Sequence, residues 1–252
     1  MINQEETIYY VAFGLVCVAL AVFYIRLKAR QGTVITTKEF QVFQTTFISG
    51  YGAVILAELV ASATFYHTLL RLELSLNHIV RLYLAGVISS SASSTLLEII
   101  DIASRKDKCI LCALLYVTAL FSLFFGGHYE MLVIGRILYG AASALQHSAF
   151  EAYLLQQHAS QGFPEDWLSQ TFQLLTHVMA LTSALSGVLG QSAAETGKLG
   201  TVGLCCVLFG GAAVYLLVLW EKDSHSPRFL LSGFYSHVQH AVGGLKANRQ
   251  LQ

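Results

Sequence analysis

The stretch Leu199–Trp220, LGTVGLCCVLFGGAAVYLLVLW, runs without a single Asp, Glu, Lys or Arg. A helix rises about 1.5 Å per residue, so about 20 apolar residues cross a hydrocarbon core about 30 Å thick. The stretch reads as a membrane span. Thr7 to Ile25, Cys109 to Tyr129 and Trp167 to Ala194 are equally free of charge. Three further runs carry one or two ionisable groups: about Gln44 to Leu69 with Glu58, Ile79 to Ile100 with Arg81 and Glu98, and Tyr129 to Leu155 with Arg136 and Glu151. The pattern predicts seven spans.

Composition agrees. Of 252 residues 55% are hydrophobic and 12% are charged, about half the ~25% usual in a soluble domain. So few charges cannot cover the surface of a soluble globule, and lipid must take their place. Fifteen basic residues balance fifteen acidic ones, which excludes the basic face that nucleic-acid binding requires. Cys17, Cys109, Cys112, Cys205 and Cys206 all lie in or beside apolar runs and read as small helix residues. No second pair or nearby His turns Cys109 and Cys112 into a metal site, and no cofactor is implied. The first apolar run is too long for a secretory signal, follows Glu5 and Glu6, and precedes its basic cluster, so it reads as a retained helix.

The basic residues set the orientation. With the N-terminus outside, Arg26, Lys28, Arg30, Lys38, Arg105, Lys106, Lys108, Lys222, Arg228, Lys246 and Arg249 share one side, the cytoplasmic or matrix side, and Arg71, Arg81 and Lys198 take the other. Pro164 and Pro227 both fall in inner-side segments, and Trp167 and Trp220 sit at inner span ends as interfacial anchors. Past Trp220, the residues Phe229, Leu230, Phe234, Val238 and Val242 form a weak apolar face suited to an interfacial or docking helix. Small residues recur at helical spacing: Gly86, Ser90 and Ser94, then Gly140, Ala144 and Ser148, then Ala180 and Ala184. Such rows let backbones approach, so these three spans are expected to pack together.

Ionisable groups inside a bilayer need a partner or water. Glu58 and Arg136 lie about eight and seven residues from the outer ends of their spans, so both sit roughly 10–12 Å deep and could pair. The pair is either a structural ion pair or a substrate- or proton-coupling one. His147 and Glu151 share one helix face, and Gln173 and His177 share another at comparable depth. That cluster would relay protons, hold an anion, clamp two helices, or supply two His and one Glu to a metal. The chain has no Walker loop, Gly-x-Ser-x-Gly elbow or His-Glu-x-x-His, so no catalytic residue is assigned.

Gly135-Arg136-Ile137-Leu138-Tyr139-Gly140 is followed by Ser148-Ala149-Phe150-Glu151-Ala152-Tyr153, then by Phe163-Pro164-Glu165-Asp166-Trp167-Leu168 with Thr171-Phe172. This series resembles the major facilitator superfamily, and within it the molybdate-anion transporter branch. Asp101, Arg105 and Lys106 occupy the place of that superfamily's loop motif, although Leu97 and Ser104 stand where its glycines belong and Ile102 where a basic residue belongs. The resemblance implies one wall of a substrate cavity that normally lies between two rocking six-helix halves.

The expected architecture is all-α and integral to the membrane. It has one extra N-terminal span and basic linker (1–38), a six-helix major-facilitator-like half bundle (39–222) and an interfacial tail (223–252). With the second half absent from the match and the loop glycine replaced, the leading expectation is an accessory, structural subunit of a larger membrane complex. The alternative is a molybdate or oxyanion transporter working as paired halves, with Arg136 facing substrate and Glu58, His147, Glu151 and His177 as coupling groups. Expected partners are the lipid bilayer and either other membrane subunits or a second copy, with no nucleic acid. The host would be an organellar inner membrane or the plasma membrane.

Overall fold

The computed structural model describes residues 4–30, 36–101, 104–125, 128–195, 197–220 and 228–229. Among them are α1 (Gln4–Arg30), α2 (Lys38–Arg71), α3 (Leu76–Ile99), α4 (Arg105–Phe121), α5 (Tyr129–Ser160), α6 (Glu165–Glu195) and α7 (Gly197–Leu219). The only other regular elements in the described residues are a 3₁₀ turn over Ser122–Phe125 and two short strands, β1 (Ile100–Asp101) and β2 (Arg228–Phe229). The strands pair antiparallel, Ile100 opposite Phe229 and Asp101 opposite Arg228.

Helix limits follow from capping chemistry. The Thr37 hydroxyl accepts from the Phe40 amide at 3.3 Å, Glu39 lies in the first turn of α2 and Arg71 in its last. Each sign matches the helix dipole. Ser104 caps α4 in the same way, accepting from the Asp107 amide at 3.2 Å. After α5 the chain reverses through Gly162 at φ +67°, a conformation that costs glycine little and a side chain more.

The helices form two groups of three. α5 packs against α3 and α4, while α2 packs against α6 and α7, and α4 meets α7 across the junction. Rings close the gap between α2 and α5: Tyr51 stacks on Phe150 at 4.8 Å and Phe47 on Tyr153 at 6.4 Å between centroids. Below them Tyr116 of α4 stacks on Phe209 of α7 at 4.5 Å. From Val11 to Phe23 α1 is apolar and, apart from the half-buried Cys17, exposed, and among the described residues it makes no extensive packing with the other helices.

Three expectations change. α6 does not join the small-residue seam of α3 and α5; it lies on α2, where Gly52 faces Val178 and Gly190 faces Ala63 and Thr64. Ala180 accordingly stays exposed and Ala184 is half-buried. The apolar run from Cys109 to Tyr129 is not one helix. α4 stops at Phe121, the Ser122 hydroxyl turns back to donate to the Ala119 carbonyl at 2.7 Å, and the 3₁₀ turn takes over. Among the described residues three helices are long and apolar enough to cross a membrane: Lys38–Arg71, Glu165–Glu195 and Gly200–Leu219. α4 is only 17 residues long and opens on four charged residues, Arg105 to Lys108. Finally, Phe229 belongs to an extended pair rather than a tail helix, and Leu230, Phe234, Val238 and Val242 lie outside the described residues.

Candidate functional site

The site is built where α3 and α5 come closest. A Cβ placed on Gly140 would stand 2.3 Å from the Gly86 carbonyl oxygen and 3.0 Å from the Ser90 amide nitrogen. Only glycine permits that approach. The Ser89 hydroxyl then reaches the Ile137 carbonyl at 2.7 Å. Ala144 continues the seam as a buried residue, whereas Ser94 is exposed and its hydroxyl returns to its own helix at Ser90.

Arg136 sits one turn from Gly140, and the close seam shapes its surroundings. A Cβ on Gly86 would lie 3.1 Å from one terminal guanidinium nitrogen. The guanidinium carbon stands 4.4 Å from the ring centre of Phe65 on α2, 5.0 Å from that of Tyr83 on α3 and 5.1 Å from that of Tyr139 on α5. Three aromatic faces thus hold the cation, an interaction that gains strength away from water. Its Nε is buried without a hydrogen-bond partner, and no ion pair joins the group to a described carboxylate.

Glu58 is near but separate. The expected ion pair between Glu58 and Arg136 does not form, because Tyr139 stands between them. Its ring faces the guanidinium, and its hydroxyl donates toward Glu58 Oε1 at 3.4 Å and the Glu58 carbonyl at 3.3 Å. Sequence reading missed Tyr139, although its place in Gly135–Gly140, three residues after Arg136 on the same helix face, was the available signal.

His147 and Glu151 are both exposed on α5. His147 is within electrostatic reach of Glu58, and Glu151 of Tyr51. On α6 the half-buried His177 bonds through Nδ1 to the Gln173 carbonyl of its own helix at 2.6 Å. α6 packs chiefly on α2 and α7, and α5 on α3 and α4, so the two polar pairs belong to different helix groups. Among the described residues no group of three His, Cys, Asp or Glu side chains is placed to hold a metal ion. Among the described residues no disulfide joins the cysteines, and the Cys112 thiol donates to the Ala142 carbonyl at 3.3 Å.

The loop-motif positions fasten one end of the bundle. Arg105 donates to the Ala152 carbonyl of α5 at 2.7 Å, and Lys106 donates to the Leu217 carbonyl at 3.0 Å and to that of Trp220. A cation on the last carbonyls of α7 offsets the negative end of its dipole. Asp101 meets Arg228 through the backbone pairing of β1 with β2.

A major facilitator family model, described as "Sugar transporters, 12 TM", matches residues 8–224. The chain belongs to this family. Major facilitator relatives include the molybdate-anion transporter of Takifugu rubripes, 25% identical over 224 residues, covering 86% of this chain and 46% of that protein. The Danio rerio molybdate-anion transporter is 25% identical over 82% of this chain and 44% of its own length. That of Xenopus tropicalis is 34% identical over 113 residues, 44% of this chain and 23% of that protein. The chain therefore spans less than half the length of these relatives. No solved structure matches significantly. Family and apolar helices together make this an integral membrane protein of transporter type.

Proposed function

We propose that this major facilitator protein moves an oxyanion of the molybdate type, its α2–α7 bundle forming one wall of the path and a second bundle forming the other. The observation that carries the reading is the state of Arg136. A guanidinium held by ring faces instead of a carboxylate keeps its charge for a ligand, and its planar fork of donors matches an oxyanion. Glu58, held apart by the Tyr139 hydroxyl, and the exposed His147 and Glu151 provide titratable neighbours. Polar side chains exposed on a membrane helix face a water-filled groove or another bundle rather than lipid. The relatives' names favour transport over the accessory-subunit role that the sequence suggested. In this reading α1 is an additional span, α2–α7 are the six-helix half, the end bearing Lys38, Arg105 and Lys106 faces the cytoplasm or matrix, and a second copy of the chain completes the path.

The test is molybdate uptake by vesicles reconstituted with the full chain. Uptake is expected, with a loss of at least about tenfold in Arg136→Ala, the scale of one charge-assisted hydrogen bond, and partial retention in Arg136→Lys. Absence of uptake by the wild-type chain, or uptake indifferent to Arg136→Ala, overturns the reading.

A further inference from the structure

At the opposite end of the bundle from Arg136, α2, α5 and α7 enclose a cavity of about 660 Å³. That volume lies in the range of small-molecule sites. Phe47 lies eleven residues from Glu58, roughly 16 Å along α2 at about 1.5 Å per residue. The cavity is therefore separate from the site described above.

Its wall is aromatic. Trp220 stacks on Tyr153 at 4.2 Å and on Phe47 at 5.3 Å. Its indole nitrogen donates to the Thr46 carbonyl at 3.3 Å, and Gly50 leaves room for the ring. The rings are thereby fixed, and an apolar surface stays open beside them. At the mouth Val42 and Leu219 are 65% and 51% exposed, so the cavity opens sideways through apolar residues.

Polar groups are few and placed at two levels. Gln157 lines the cavity although only 6% exposed. Its Oε1 accepts from the Ser160 hydroxyl at 3.4 Å, while its amide nitrogen has no partner among the described residues. The amide therefore keeps a donor for a ligand in the cavity. Lys38 and Glu39, both exposed in the first turn of α2, stand at the rim with opposite charges.

We propose that this cavity binds one zwitterionic phospholipid of the ethanolamine type. Acyl carbons lie against Val42, Phe43 and Leu219. The phosphate accepts from Lys38 and from the Gln157 amide beside the positive end of α2, and Glu39 meets the ammonium. An anionic headgroup would meet the Glu39 carboxylate with no ammonium of its own, and a purely apolar ligand would leave the Gln157 donor unmatched. The rim lies at helix ends, the level at which headgroups reside.

Two tryptophans are present. Trp167→Phe leaves Trp220 as the sole emitter and keeps a ring against Phe40 and Phe163. Trp220 is only 4% exposed, so lipid around the bundle reaches it poorly. The experiment reconstitutes Trp167→Phe into phosphatidylglycerol vesicles titrated with dibrominated phosphatidylethanolamine, and into the reverse mixture, and reads bromine quenching. Half-quenching is expected at a roughly fivefold lower mole fraction for the brominated ethanolamine lipid, a modest affinity difference. Gln157→Leu and Lys38→Ala should each move it back toward the bulk value. Lys38 is exposed, so its variant reads the effect even if Gln157→Leu fails to fold. Identical curves for the two headgroups, tighter quenching by the glycerol lipid, or a curve unmoved by Lys38→Ala overturns the proposal. None of these readouts depends on molybdate uptake.

Discussion

The seam between α3 and α5 and the end where α2, α5 and α7 meet solve helix packing in opposite ways. At the seam, side chains are removed. Gly86 and Gly140 bring two backbones together, and the room left over holds one arginine among three rings. At the other end side chains are added, and Phe47, Tyr153 and Trp220 stack to hold the helices by ring area. A buried charge needs surroundings fixed to within a fraction of an ångström, which backbone contact supplies. A ring stack tolerates more movement because dispersion and area, rather than one geometry, provide its stability.

The contrast breaks first at Gly140. Gly140→Leu drives a side chain into the Gly86 carbonyl, and overpacking here should cost roughly 3 kcal/mol or more. Thermal melts in detergent should show a loss larger than for any substitution in the ring stack, and a melt close to wild type would mean that the seam can spread. Next comes Trp220→Ala, which removes a buried ring and its hydrogen bond to Thr46. A cost of about 3 kcal/mol is expected, with Trp220→Phe recovering most of it; equal losses for the two would assign the stability to the indole N–H rather than to stacking. Tyr139→Phe sharpens the seam side. The ring stays over Arg136 while the hydroxyl to Glu58 is lost, so stability should fall by about 1 kcal/mol. Uptake should fall several-fold less than in Arg136→Ala. Were the two variants equal in uptake, the hydroxyl would outrank the cation. The smallest effect belongs to Lys106→Ala, which uncaps α7: about 0.5 kcal/mol in the same melt, with molybdate uptake unchanged.

Much of the helical layout was legible because hydropathy is local. The small-residue rows at Gly86 and Gly140 announced a close contact that the structure contains, whereas the caps Thr37 and Ser104 emerged only from the structure. The rule of close approach did not say which helices meet. Ala180 and Ala184 have the same spacing, yet α6 lies on α2 because Gly52 and Gly190 offer the closer fit there. Within the site, Glu58 and Arg136 were identifiable from the cost of charge in a membrane. Their separation was not, since depth along two helices fixes height but not the rotation that places the Tyr139 ring between them.

The sequence by itself determined that this chain is helical, apolar and of the major facilitator type, because composition, run length and motif order need no knowledge of neighbours. Tertiary structure alone decided that Arg136 is held by rings and not by Glu58, that Arg105 and Lys106 fasten helix ends, and that a cavity opens beside Trp220. Each of these depends on side chains far apart in the chain meeting at a set angle. Such meetings arise from the joint packing of several helices, and no single stretch of sequence encodes them.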